Sequence, residues 1–266
     1  MERRGTRRRL GSSCSSSAAR GSVRVSSGTR SLEGGREAKP HSRPYMASLK
    51  LSGHICGGFL VAPQWVMTAA HCPENISIVL GAHDLDVHEH SQQMMAVESY
   101  HTHPGYDDSA MIPFNDIRLL KLARPAVINK YVQAIPVPWK NNDVPTGTSC
   151  SLSGWGLIDD NRVTNKLFET NITVVSRRKC ARLFPFLDEG MFCAGSNRMR
   201  DTSQGDSGGP LVCNGVVEGV VSFGMDFPPG VYTRISNYLP WIKKTMGEGK
   251  VLRKEHKSSQ RLVTFA

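Results

Sequence analysis

No run of apolar residues in this chain approaches the roughly 18 that a membrane-spanning helix requires, so no membrane span is expected. The seven cysteines include no Cys-x-x-Cys pair, which argues against a zinc ribbon or a thioredoxin-like redox motif. The nine histidines show no metal-ligand spacing. His88 and His90 flank Glu89, and a solvated loop is expected there rather than a zinc or calcium site. Neither metal nor cofactor is expected. Residues 1–30 lack the ~7–15-residue apolar segment of an export signal. Aromatic residues make up 7% of the chain within a hydrophobic total of 39%, ordinary proportions for a globular all-β protein.

The body also lacks net charge. The chain carries +10 overall, but residues 1–30 hold eight Arg against one Glu, and residues 247–266 hold five Lys or Arg against two Glu. Residues 31–246 carry 20 basic and 20 acidic side chains. A polyanion-binding face on the body is unsupported, and no specific nucleic-acid partner is expected.

What is present centres on Asp201-Thr202-Ser203-Gln204-Gly205-Asp206-Ser207-Gly208-Gly209-Pro210. Glycines and a proline around one serine suit a tight turn. The N–H groups of Gly205 and Ser207 can point into one small space, as a developing oxyanion needs. Such clusters are ordinarily solvated turns. A nucleophilic serine also requires a base and a carboxylate. Thr68-Ala69-Ala70-His71-Cys72 and Asn115-Asp116-Ile117-Arg118-Leu119-Leu120 provide both, in the chain order His, Asp, Ser.

On these three stretches the chain resembles the serine endopeptidases of the chymotrypsin family. The resemblance implies two six-stranded antiparallel β-barrels with a C-terminal α-helix, an all-β fold, with the active site in the cleft between them. It implies a catalytic triad of His71, Asp116 and Ser207, and an oxyanion hole from Gly205 and Ser207. Asp201, six residues before the nucleophile, falls at the base of the specificity pocket, with Gly224 and Gly230 on its walls. A carboxylate there selects Arg or Lys. Ser222 and Gly224 match residues that bind substrate backbone as an added strand, and Asp206 matches the carboxylate that pairs with the amine freed on activation.

Six body cysteines read as three disulfides formed in an oxidising compartment. Spacing leaves their pairing open. The resemblance implies Cys56–Cys72, Cys150–Cys213 and Cys180–Cys193, with Cys14 left over. Asn75-Ile76-Ser77 and Asn171-Ile172-Thr173 match the N-glycosylation pattern. Ser203 stands where most trypsin-like members have a cysteine, and its partner cysteine is absent from Met225-Asp226-Phe227-Pro228-Pro229. That double absence and the stretch Pro40–Ser48 are similar to granzymes, mast-cell chymases and related leukocyte proteases. Asp226 also stands within reach of a basic substrate. The resemblance implies protein or peptide substrates, serpin-type inhibitors, and a secreted or granule-stored enzyme. A catalytically silent or unactivated protease-fold binding protein is the competing reading.

Along the chain, residues 1–33 form an Arg- and Ser-rich segment expected to be disordered and to represent an alternative or misassembled start. Residues 34–246 form the protease domain, with barrels at about 34–130 and 131–246, and residues 247–266 form a basic disordered tail. Leu32-Glu33-Gly34-Gly35 stands where the family places an apolar pair and two glycines, so Glu33 is expected to oppose activation. Strands are predicted at Tyr45–Leu51, Ile55–Ala62, Ile76–Leu80, Ala96–Thr102 and Ile117–Leu122. A second set is predicted at Thr148–Gly154, Thr170–Val175, Pro210–Cys213, Val216–Phe223 and Val231–Ile235, with residues 123–147 crossing between the sets. One helix is predicted, Asn237–Met246, with Tyr238, Trp241, Ile242 and Thr245 on its inner face.

Overall fold

The computed structural model describes residues 35–158, 162–195, 206–224 and 229–247. Its strands begin with β1 (Arg36–Glu37), followed by β2 (Met46–Lys50), β3 (His54–Ala62), β4 (Trp65–Thr68), β5 (Ser77–Leu80), β6 (Gln93–Thr102) and β7 (Arg118–Leu122). Strands β2 to β7 close into a barrel in the order β2-β3-β4-β7-β6-β5, every neighbouring pair antiparallel. The seams follow from side-chain content. Seven consecutive residues of β3 and all four of β4 are buried; alternate side chains face the barrel interior and the others are covered on its outside. Phe59, Leu60, Val66, Met67, Ile78, Leu80, Leu119 and Leu120 all belong to this core.

The second half comprises β8 (Ser149–Gly154), β9 (Leu157–Ile158), β10 (Arg162–Val163), β11 (Phe168–Val174), β12 (Met191–Gly195), β13 (Pro210–Cys213), β14 (Val216–Gly224) and β15 (Gly230–Arg234). Six of these, β8-β11-β12-β15-β14-β13, form a second ring, closed because β11 pairs with β8 as well as β12. Strand β1 adds to the outside of β11, and β9 and β10 form a separate two-stranded ribbon. Leu152, Ile172, Leu211, Val221 and Tyr232 lie within this ring's core. Residues 123–147 cross between the barrels without a named strand or helix.

Three differences from the sequence reading have physical causes. Strands β4 and β12 went unpredicted because both are short and buried throughout, so neither shows polar–apolar alternation. Among the described residues, the predicted single helix is one of two α-helices. Helix α1 (Arg177–Leu183) begins where the Ser176 hydroxyl accepts from the Lys179 N–H at 3.3 Å, a short helix started by its cap. The C-terminal helix starts later than expected. Ile235–Tyr238 winds as a 3-10 turn, and α2 (Leu239–Met246) follows with Pro240 in its first turn, where a missing N–H costs nothing. Ile242 is buried as expected, with Leu239 and Met246, while Tyr238 is buried in the preceding turn, Trp241 packs against the core and Thr245 is half-buried.

The three disulfides are Cys56–Cys72, Cys150–Cys213 and Cys180–Cys193. The first ties β3 to the turn after β4, the second ties β8 to β13, and the third ties α1 to β12.

Candidate active site

His71 lies in the turn after β4, anchored on its C-terminal side by the Cys56–Cys72 bridge. Asp116 lies just before β7, beside β4 in the barrel. The preceding Asn115 adopts φ 56°, a conformation that asparagine tolerates better than most residues. Its amide donates to the Gly105 carbonyl at 2.8 Å, and its side-chain oxygen accepts from the Tyr238 hydroxyl at 3.3 Å. This turn aims Asp116 inward.

The Asp116 carboxylate meets His71 twice: Oδ1 accepts the His71 backbone N–H at 3.0 Å, and Oδ2 lies 2.8 Å from Nδ1. The Asp116 side chain is fully buried, whereas the imidazole keeps 30% of its surface accessible. The second barrel completes the site. The Ser222 hydroxyl on β14 donates to Asp116 Oδ2, and the Thr233 hydroxyl on β15 donates to the Asp116 carbonyl at 2.7 Å. Both barrels therefore hold one carboxylate.

This geometry sets the charges. Burial would push the Asp116 carboxyl upward, but the His71 charge and the hydrogen bonds from His71 and Ser222 outweigh it and hold it below the usual range. Burial would likewise pull His71 down, yet the Asp116 charge and hydrogen bond raise it above the ordinary imidazole value. Arg118 opposes that rise. Its guanidinium is buried, donating to the Cys72 carbonyl at 2.6 Å and the Thr102 hydroxyl at 2.7 Å. Sequence reasoning passed over Arg118, Thr233 and the hydroxyl of Ser222. A polar side chain set within an otherwise apolar, buried strand was the available signal.

Ser207 is half-buried between fully buried Asp206 and Gly208. Its carbonyl accepts from the Gly57 N–H on β3 at 2.8 Å. Gly208, at φ 78°, has no room for a side chain: a Cβ there would lie 2.1 Å from the Thr68 hydroxyl oxygen. The Thr68 hydroxyl in turn donates to the Gly57 carbonyl at 2.8 Å. The serine turn thus rests on the first barrel beside the bridge next to His71. Asp206 Oδ1 accepts the Gly156 N–H at 3.1 Å, and a Cβ on Gly154 would approach that same oxygen to 1.9 Å.

Gly224 and Gly230 face one another across the β14–β15 pair. Asp201, Ser203, Gly205 and Asp226 lie outside the described residues, as do Cys14, Glu33 and the remainder of both tails. Asn75 and Asn171 are both exposed. At His88–His90 both histidines are exposed, as expected of a solvated loop, while Glu89 turns partly inward. The Glu89 carboxylate accepts the His83 backbone N–H at 2.6 Å, and His90 Nε2 lies 3.1 Å from the Tyr131 hydroxyl. Among the described residues, the one group with metal-like clustering is Cys56, His71 and Cys72. Its two sulfurs are bonded to each other, which removes the thiolates that a metal needs.

The family model described as Trypsin matches residues 32–242. Duodenase-1 of Bos taurus is 48% identical over 223 residues, spanning 80% of this chain and 88% of that protein. Cathepsin G of Homo sapiens is 42% identical over 228 residues, spanning 82% and 89%. Among solved structures, neuropsin, a serine protease expressed in the limbic system of mouse brain, is 40% identical. It superposes with a TM-score of 0.76, covering 80% of this chain and 99% of its own. With two closed barrels packed around a shared histidine–aspartate pair, this chain belongs to the trypsin family of serine endopeptidases.

Proposed function

We propose that the chain cleaves peptide bonds after Arg or Lys, with His71, Asp116 and Ser207 as its catalytic residues. The observation that carries this reading is the buried Asp116 carboxylate, bonded to His71 Nδ1 from one barrel and to Ser222 from the other. The bond at Nδ1 leaves Nε2 to take the Ser207 proton. Serine then attacks the scissile carbonyl, and His71 returns the proton to the leaving amine. The imidazolium formed in between is stabilised by the adjacent carboxylate, consistent with the raised His71 value. The N–H groups of Gly205 and Ser207 would receive the oxyanion, each worth ~2.7–4 kcal/mol in such sites.

Asp201 is assigned the base of the specificity pocket, with Gly224 and Gly230 leaving its walls open. The backbone groups of Ser222 and Gly224 are assigned to the substrate strand. Asp206 is assigned the amine freed on activation. Glu33 opposes this, because carrying an unpaired carboxylate into the body costs several kcal/mol. Residues 34–246 form the catalytic domain in this reading, with the two tails outside it. Secretion or granule storage, serpin-type inhibition and glycosylation at Asn75 and Asn171 belong to the same proposal. The exposure of both asparagines supports the last point.

Replacing Ser207 with Ala in processed protein should lower turnover by several orders of magnitude. Undiminished hydrolysis would refute the triad. In a panel of peptides differing only at the residue before the scissile bond, Arg and Lys should lead, and Asp201→Ser should abolish that lead. A preference for Phe or Leu in the unaltered enzyme overturns the specificity. Labelling of Ser207 by a fluorophosphonate separates an active protease from a silent binding protein.

A further inference from the structure

Strand β13 begins just after the serine turn and ends at Cys213, roughly 13 Å away at the usual rise per residue. At that far end lies a cleft of about 390 Å³, outside the catalytic site. It sits between the interbarrel crossing and β14. Trp139, Pro145 and Val216 contribute apolar wall, and Lys140, Asp143 and Glu218 contribute the charges.

These charges are not equivalent. Asp143 is paired, with Arg177 at 3.0 Å and Arg234 at 3.4 Å. Glu218 is half-buried on β14, and no described residue donates a hydrogen bond to its side chain or forms an ion pair with it. Burying a carboxylate without a partner is unfavourable. Burial pushes the Glu218 carboxyl up to about 7. Trp139 is large, aromatic and 54% exposed. The Lys140 ammonium already stands 4.6 Å from its ring centroid, so the indole holds one cation by its quadrupole. An unpaired carboxylate, an aromatic surface and apolar walls are complementary to a positive head on an apolar stem.

We propose that this cleft is a second cation site, which takes a lysine side chain of a protein partner. The four-methylene stem lies along Trp139, Pro145 and Val216, and the ammonium reaches Glu218. The site is independent of the proposed specificity pocket and requires no catalytic residue.

The probe is N-acetyl-lysine N-methylamide, with the norleucine analogue as its uncharged match. Binding is followed by calorimetry and by tryptophan fluorescence. Saturable binding of the lysine probe is expected, with the norleucine analogue at least about tenfold weaker, the equivalent of one modest ion pair. Glu218→Gln should weaken the lysine probe to the same degree while peptide hydrolysis stays unchanged, which shows that the variant is folded. Trp139→Ala should weaken it as well and remove the fluorescence change. Asp201→Asn should leave this binding intact. Equal affinity for the two probes, no loss in Glu218→Gln, or complete loss in Asp201→Asn each overturns the proposal.

Discussion

Adding a single methyl group at Gly154 tests whether Asp206 is held as tightly as the geometry implies. A Cβ there would lie 1.9 Å from Asp206 Oδ1 and 2.9 Å from its Cγ, well inside contact distance. Two responses are available. The carboxylate can rotate away, losing the Gly156 N–H bond at 3.1 Å, and a hydrogen bond to a charged group is worth ~1.5–3 kcal/mol. Alternatively the end of β8 shifts, at the ~1–3 kcal/mol typical of overpacking. Gly154→Ala should therefore cost about 1–3 kcal/mol, which lowers the thermal midpoint by roughly 2–12 °C for a chain of this size. Measurement in a Ser207→Ala background prevents self-digestion. Gly53→Ala is the control, since nothing lies within 4 Å of its added Cβ. With Ser207 intact, the same substitution should also reduce kcat/KM, because Asp206 adjoins Ser207, the proposed nucleophile. A Gly154→Ala midpoint equal to that of Gly53→Ala would refute the reasoning.

Asp116→Asn removes the charge that raises His71. The acid limb of kcat/KM, above the ordinary imidazole value in the parent, should move to lower pH, while turnover falls about 10⁴-fold as in the family template. Ser222→Ala removes one hydrogen bond to buried Asp116; a loss of ~1.5–3 kcal/mol should appear in thermal melts. Glu218 titrates higher in the folded protein than in the unfolded chain, so its penalty is absent at low pH, grows above its ordinary value and is complete above about pH 7. Glu218→Gln should therefore stabilise the protein by about 1–2 kcal/mol at pH 8 after allowance for solvent screening, and leave it unchanged near pH 4. Urea melts at the two pH values check this.

Legibility in the sequence followed the range of the interaction that fixes each feature. His71, Asp116 and Ser207 stand in short stretches whose composition already restricts the backbone, so local chemistry singled them out as candidates. Strands with turn residues at both ends were visible for the same reason. Strand β12 was not, because Met191–Gly195 is buried along its whole length and carries no alternation. The grip of Ser222 and Thr233 on Asp116 was invisible for another reason. It joins residues 106 and 117 positions apart, and only closure of both barrels brings them together. The loop at His88–His90 was legible as polar residues facing water, but the turn of the Glu89 carboxylate toward the N–H of buried His83 was not.

The two-barrel hold on Asp116 also has a consequence for the order of synthesis. A growing chain contains β2 to β7, with His71 and Asp116, before the crossing, Ser207, Ser222 or Thr233 exists. Under the proposed roles, the early product holds the base without its nucleophile. Its aspartate still awaits the two hydroxyl donors that complete its setting. Under the proposed mechanism, hydrolytic power needs the last third of the chain and the docking of the second barrel, and these precede any activation at Asp206. For an enzyme that digests protein, this sequence of events acts as a safety catch, one that keeps its unfinished copies harmless to the machinery producing them.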